Sequence, residues 1–447
     1  MTDRILRAGV ARELISPPPG IYLIGYGDRA KGNHGVHDDL TATALALDDG
    51  DTRLALVALD LLCLNEFVVD RVRAALEPDI WPVLCCSHTH AGPIAYAGER
   101  SPRANRAYID ALVGKIVAAV RSAAGQMAPV ELSFGESRAD IAVNRRERTP
   151  EGEMIIGENP GGALDDSVSV LSLHTEAGQR LATLVNYACH GTVLGPDNLL
   201  VSADWIGAMR TRAEAGLGGS VLFLQGATAN LNPAMGWARE GVWDLVREQG
   251  ERVAAAVIEA ARDRSDRLQG APLGLVRTEL PLAFDAPVTS PEPPTTYRRR
   301  LLDMAGLPGF MWPLTDWLLA RRYPWRARLA PGEGELEGRW SVPLRINAAR
   351  IGDLALVTYG SEVFTEIGLD VKAASPAERT LFASVSDGCI GYLPTVEAFA
   401  EGGYEVDVAP YAYRFPGRLA ADSAARAMEA TSQSLERLFF RNGSRGS

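Results

Sequence analysis

The chain has little of several residue types, and each shortage excludes something. Only five cysteines occur in 447 residues (Cys63, Cys85, Cys86, Cys189 and Cys389), an odd number with no CxxC pair. That rules out a disulfide framework and a cysteine-based structural zinc site, and it suits thiols kept reduced. A basic excess is missing as well. The formal net charge is −11, whereas a phosphate-binding surface needs the opposite sign, so nucleic acid is not an expected partner. The local basic runs Tyr297-Arg298-Arg299-Arg300 and Arg321-Arg322 read as solvated faces. No apolar run reaches the length of roughly 18 residues that a membrane span requires. The residues Met1 to Arg7 carry no apolar signal core, so a cytoplasmic location is the expectation. Histidine is scarce too, with six in the chain.

Three of those six stand in one kind of place. The run Trp81-Pro82-Val83-Leu84-Cys85-Cys86 reads as a buried strand and leads into Ser87-His88-Thr89-His90-Ala91-Gly92-Pro93. If the strand continues, residues i and i+2 share a face, and His88 and His90 leave the sheet together. A second apolar run, Leu181 to Tyr187, leads into Cys189-His190-Gly191-Thr192. A third, Leu354 to Tyr359, leads into Gly360-Ser361-Glu362. Imidazoles and a carboxylate gathered at separate strand ends match the three-ligand, open-position set of catalytic zinc. Such a site lowers the pKa of water from about 16 to near 7, which makes hydrolysis the natural chemistry. The alternative reading is half-buried histidines bonded to backbone, and iron or manganese could use the same ligand set.

Around these ends the chain reads as alternating strands and helices. Leu40 to Leu47 and Leu54 to Leu62 form a hairpin across Asp48-Asp49-Gly50-Asp51. Asp60, a carboxylate within an apolar run, orients the site or holds a turn. In Ile21 to Arg29, Gly25 and Gly27 mark a place where backbone comes close to something. Helices are expected over Asn65 to Leu76, Tyr108 to Ala124, Trp243 to Ala261 and Ala420 to Phe439. Another follows Ser202-Ala203-Asp204, read as its N-cap. The Arg145-Arg146 pair runs into polar, loop-like sequence and by itself reads as surface. Composition shifts after about residue 270, with a proline-rich stretch from Pro281 to Pro294 and a tryptophan-rich, basic one from Met311 to Arg326.

Length alone would allow two or three domains. The pattern is nevertheless that of one α/β catalytic domain spanning 1–447, with layered mixed β-sheets flanked by helices. A helical Trp-rich insertion at 271–340 would serve as a lid or membrane-touching element, or as a packed insertion or subunit contact.

Five motifs now converge. They are Ser87-His88-Thr89-His90-Ala91-Gly92-Pro93, Asn186-Tyr187-Ala188-Cys189-His190-Gly191-Thr192, Ser202-Ala203-Asp204, Gln225-Gly226 through Asn232-Pro233, and Gly391-Tyr392-Leu393-Pro394-Thr395 with Gly403-Tyr404-Glu405. In this order they resemble the neutral/alkaline non-lysosomal ceramidase family. The resemblance implies one Zn2+ per chain, held by His88, His190, Glu362 and Tyr392. It implies further catalytic groups at His90, Arg145 and Tyr404, with Arg146 a rival for Arg145. Tyr404 lies 12 residues after Tyr392, as the family's tyrosine pair does; without the resemblance, Tyr392 would read as a buried phenol bonded to backbone.

This chain departs from the family at one loop. Ceramidases carry Gly-Asp-Val-Ser-Pro where Ala229-Asn230-Leu231-Asn232-Pro233 stands here, so the family's serine is Asn232 and its aspartate Asn230. A carboxamide cannot act as a serine-type nucleophile, which leaves Asn232 as a hydrogen-bond donor to substrate or oxyanion. From the length of the sequence, no C-terminal β-sandwich like that of larger ceramidases is expected, and ceramide itself is a less expected substrate. The expected activity is zinc-dependent hydrolysis of a linear N-acyl amide bond in a small-molecule or lipid-like substrate. The alternatives are ester or lactone hydrolysis, acyl transfer to an amine, and a non-catalytic ligand-binding protein. A homo-oligomer is compatible with the sequence.

Overall fold

Strands whose apolar residues run without interruption must be covered on both faces, and here that requirement sets the architecture. The structure, a computed structural model, describes residues 5–26, 29, 31–96, 103–234, 241–262, 266–268, 272–287, 329–413 and 415–440. Its large sheet has eight strands in the order Ser220–Gln225, Arg180–Tyr187, Ser167–Thr175, Ala128–Arg138, Arg7–Leu14, Thr41–Asp48, Arg53–Leu59 and Ile80–Cys86. The pair at each edge is parallel, and the pairs between are antiparallel. A second sheet joins Leu273–Pro287, Arg339–Ile351, Leu354–Tyr359 and Arg379–Ala383.

The two-residue period of a strand divides its side chains between two cores. On Arg53–Leu59, Leu54 and Leu56 enter a core shared with Leu356 and Leu381 of the second sheet. Ala55, Val57 and Leu59 face the other way, against the helices Glu66–Ala75 and Arg103–Gly125. Val168, Val170, Val185 and Tyr187 likewise meet the helices Asp204–Leu217 and Val242–Ala260. The outer face of the second sheet, with Phe284, Val342, Leu344 and Val357, packs on the helices Thr365–Ala374 and Ser423–Phe439. The order is therefore helices, sheet, sheet, helices. Truncating a leucine such as Leu56, buried between the sheets, would cost about 2–5 kcal/mol.

Local chemistry accounts for the connections. In the first hairpin the Asp48 carboxylate accepts from Gly50 N–H at 2.7 Å, and Asp49 accepts from Asp51 and Thr52 N–H at 3.0 and 2.8 Å. Asn65 caps the helix Glu66–Ala75 by accepting from Val68 N–H. Asp60 takes the structural role: its oxygens accept from the Thr41 backbone, the Thr41 hydroxyl and Arg210, each at 2.8 Å.

Two expectations change. The residue preceding the helix Asp204–Leu217 is Ala203, and no side chain caps that end. Ser202 Oγ instead accepts from Asp204 N–H at 2.9 Å, and Asp204 turns its own oxygens to Trp205 and Leu194 N–H. At the start of the stretch 271–340, Leu273–Pro287 is a long strand paired along Arg339–Ile351, hence part of the sandwich. Residues 288–328, which include Met311 to Arg326, Tyr297 to Arg300 and Arg321-Arg322, lie outside the described residues. Among the described residues no helix is long and apolar enough to cross a membrane.

The carboxyl ends of the large sheet's two edge strands meet. Gln225, at the end of one, donates through Nε2 to Ser87 O at 3.0 Å, just past the end of the other. The segment following Arg379–Ala383 fills the gap between them. Ser384 N–H donates to Gln225 O, Cys86 N–H to Val385 O and Asp387 N–H to Leu84 O. Asn186 Nδ2 fastens both sheets by donating to Leu224 O and Phe382 O. The loops that leave these strand ends build the site.

Candidate active site

His88 and His90 do converge, but not as alternate residues of a strand. The strand ends at Cys86, and His88 adopts a left-handed backbone with φ of 63°. Such a conformation is rare for a residue with a β-carbon and is tolerated where surrounding contacts impose it. Here His88 N–H donates to Leu61 O, His90 N–H donates to Gly191 O, and Thr89 bridges to Gly191. The two histidine loops are therefore pinned to each other. Gln225 Nε2 completes the clamp by donating to Ser87 O on one loop and to Cys189 O, at 2.8 Å, on the other.

The tautomers follow from the hydrogen bonds. His88 Nδ1 lies 2.9 Å from Leu62 O and His190 Nδ1 lies 2.8 Å from Leu231 O. A carbonyl oxygen only accepts, so Nδ1 carries the proton in both rings and Nε2 presents a lone pair. Both Nε2 atoms point at one carboxylate oxygen, with Glu362 Oε2 3.2 Å from His88 and 3.5 Å from His190. His190 Nε2 and Glu362 Oε2 are buried and make no hydrogen bond. Burial pushes the His190 imidazole down to about 4, so no proton on its Nε2 relieves the crowding at neutral pH. Burial opposes the charge on Glu362 as well. Three acceptors thus converge without a donor. That arrangement suits a cation, and Nδ1–H bonded to a backbone carbonyl is the usual way of aiming a metal-binding imidazole.

His90 completes a triangle. The ligand atoms of His88, His90 and His190 lie within 4.8 Å of one another, so His90 is near enough to bind a metal or to act beside one. Neither of its ring nitrogens has a hydrogen-bond partner. Burial, followed by His88 and His190, keeps its imidazole well below the ordinary range and hence neutral. Gly25 explains the closeness expected of its segment. At φ +112° it packs on the ring, and a β-carbon there would stand 2.5 Å from His90 Nδ1.

Glu362 and Tyr392 are direct partners in a short parallel ladder, which sets both side chains on one face. Arg145 then connects the tyrosine to the asparagine loop. Its NH2 donates to Tyr392 OH at 3.2 Å, NH1 to Asn232 Oδ1 at 3.3 Å and Nε to Glu405 Oε1 at 2.9 Å. Burial opposes the charge, but Tyr392 and Glu405 hold the guanidinium above its ordinary range. Its carbon also sits 5.6 Å from the Tyr392 ring centroid and 5.9 Å from that of Tyr404. The two tyrosine rings meet edge to face at 5.8 Å.

The surface reading of the arginine pair is corrected here. Arg145 and Arg146 are only 5% and 7% exposed, on the strand Ala142–Arg148. Arg146 points away from Tyr392, to Glu405, Glu401 and Gly402 O. Of the rivals, Arg145 alone among the pair reaches Tyr392 and Asn232. Asn230 serves the frame: its amide spans Glu366 and the backbone N–H of Thr365.

Three contributors carried no signal readable in the sequence. Glu405 bonds both arginines, Gln225 clamps the loops, and Tyr413 OH donates to Glu362 Oε1. Glu405 adjoins Tyr404 and Gln225 precedes Gly226, so both stood inside quoted motifs without a visible task. Tyr413 stood in none.

The fold is similar to solved ceramidases. One, a ceramidase complexed with C2, superposes with a TM-score of 0.76 at 19% identity, over 98% of this chain and 76% of that one. The neutral ceramidase from Pseudomonas aeruginosa gives 0.74 at 20% identity, over 98% and 75%. No curated protein sequence matches the chain significantly. The profile described as neutral/alkaline non-lysosomal ceramidase, N-terminal, matches residues 8–271. That stretch holds His88, His90, Arg145, His190 and Asn232, whereas Glu362, Tyr392 and Tyr404 reach the same site from beyond it. With more than half of its length matched by that profile, the chain belongs to the neutral/alkaline non-lysosomal ceramidase family.

Proposed function

We propose that the chain is a zinc-dependent hydrolase that cleaves a linear N-acyl amide bond. The observation that carries the reading is the convergence of His88 Nε2 and His190 Nε2 on Glu362 Oε2 with no donor between them. His88, His190, Glu362 and Tyr392 would hold the ion. Two imidazoles and a carboxylate with an open position favour zinc in a hydrolytic role. When bound, zinc supplies Lewis acidity toward the scissile carbonyl and lowers the pKa of water toward 7.

The protein's own residues do the rest. Gly25 covers Nδ1 of His90, which leaves Nε2 to take a proton from the attacking water and pass it to the departing amine nitrogen. Its depressed basicity keeps it neutral and ready to accept. Tyr404 OH and the Arg145 guanidinium donate to the carbonyl oxygen as it gains negative charge. Arg145 meanwhile fixes Asn232 by its carbonyl oxygen, and the Asn232 amide N–H2 is then a further donor for the substrate. Water attacks directly, because Asn232 cannot form an acyl-enzyme.

The test is zinc content with turnover of N-acyl amides of graded chain length. Stoichiometric zinc and amine release that vanishes on chelation and returns with zinc support the reading. A zinc-loaded protein that cleaves esters but no amide would overturn the assignment of the bond.

A further inference from the structure

The Glu362 carboxylate has two oxygens in different surroundings. Oε2 faces the two histidines. Oε1 accepts a hydrogen bond from Tyr413 OH. An ionised carboxylate can only accept, so the phenol donates, and bonds of this charge-assisted kind are short and strong.

The protein fixes that phenol from several sides. The Tyr413 ring stacks on Phe415, with centroids 5.8 Å apart and planes 23° apart, and meets Tyr392 edge-on at 6.1 Å. It also lies flat against Gly391. A β-carbon at 391 would stand 2.9 Å from Cδ2 and 3.0 Å from Cε2 of the ring, and φ there is +82°. Gly391 in turn accepts through its carbonyl from Glu362 N–H at 2.8 Å. The ring is thus wedged between the loop that carries Tyr392 and the carboxylate it holds. Rotation of Glu362 about its last bond would break the Tyr413 bond, which is how a neighbouring group orients a metal-binding carboxylate.

We propose that Tyr413 is a positioning residue. Its hydroxyl occupies one oxygen of Glu362, so that the carboxylate presents only the other to a cation held with His88 and His190. The assignment rests on the metal reading above. It predicts that losing the hydroxyl frees Oε1, lets the carboxylate rotate and weakens the site without dismantling it.

The test uses the full chain with Tyr413→Phe, and Phe415→Leu as the control that loosens the same packing while keeping the hydroxyl. Zinc affinity is measured by competition with a chelator, and the visible absorption of cobalt-substituted protein reports ligand geometry. Tyr413→Phe is expected to lower zinc affinity about 10–100-fold and to alter the cobalt spectrum, with the metal-free melting temperature close to that of Phe415→Leu. Phe415→Leu keeps wild-type affinity and spectrum. Equal affinity in wild type and Tyr413→Phe with identical cobalt spectra would overturn the role of Tyr413 while leaving the metal site standing. So would equal loss in both variants, which makes the effect one of packing. A wild-type protein that takes up no zinc would overturn the metal reading itself, and the role with it.

Discussion

Replacing Gln225 with methionine, close to it in shape but unable to donate, should loosen the whole site from one buried position. Gln225 is fully buried, and its single amide nitrogen serves Ser87 O and Cys189 O. Each of those carbonyls belongs to a loop that carries histidine. Leaving a buried acceptor without its donor costs about 1–3 kcal/mol, so two give roughly 2–6 kcal/mol. The figure must be reduced, because Gln225 Oε1 is itself buried and unbonded, and methionine removes that unmet acceptor. A net loss of about 1–4 kcal/mol remains, a sizeable part of the 5–15 kcal/mol typical of a folded domain. Urea denaturation of metal-free protein would measure it. A second effect separates clamp from mere packing: the loops no longer hold His88 and His190 in register, so zinc affinity falls as well. A Gln225→Met protein within about 0.5 kcal/mol of wild type and with unchanged zinc affinity would refute the clamp.

Other consequences follow from the same geometry. His90→Gln should lower kcat by about 10²–10⁴ while retaining zinc, measured by turnover and metal content on one sample; loss of zinc would make His90 a ligand instead. Arg145→Lys gives up a fork that reaches Tyr392, Asn232 and Glu405 together, and kcat/KM should fall about 10²–10³. Arg146→Lys, which touches neither Tyr392 nor Asn232, should mainly lower stability. A pH dependence is expected at Asp165. Burial raises its carboxyl, but Lys372 outweighs burial and holds it below the ordinary value. A depressed carboxyl contributes stability above its unfolded value near 4, which is lost as pH falls through the lower folded value. Lys372→Met should therefore be most destabilising near pH 7 and approach wild type below about pH 4, as read from urea midpoints across that range.

Much of the frame was legible because its signals are local. Runs such as Leu54 to Leu59 are apolar at every position, and a strand buried on both faces leaves that mark. Asn65 and the Asp48 to Asp51 turn sit within a few residues of the groups they bond. The positions of His88, His190 and Glu362 at strand ends were visible for the same reason. The remainder depends on partners far away in the chain. Arg145 and Arg146 looked like surface because the carboxylate that permits their burial, Glu405, lies about 260 residues on. A strand was assumed to continue through His88, whereas contacts with Leu61 and Gly191 turn it into a left-handed corner. Tyr413 was unreadable, since nothing near it in sequence shows that its hydroxyl meets Glu362. The proline-rich stretch from Pro281 suggested a break, yet the register of Leu273–Pro287 with Arg339–Ile351 carries the strand through it.

The account rests on three acceptors that converge without a donor, and metal content tests that most directly. Mass-spectrometric metal analysis would be run on wild type and on His190→Ala, both purified without chelator. About one zinc per chain in wild type, with little or none in the variant, is the predicted result. No stoichiometric metal in wild type, and none taken up when zinc is added, would contradict it.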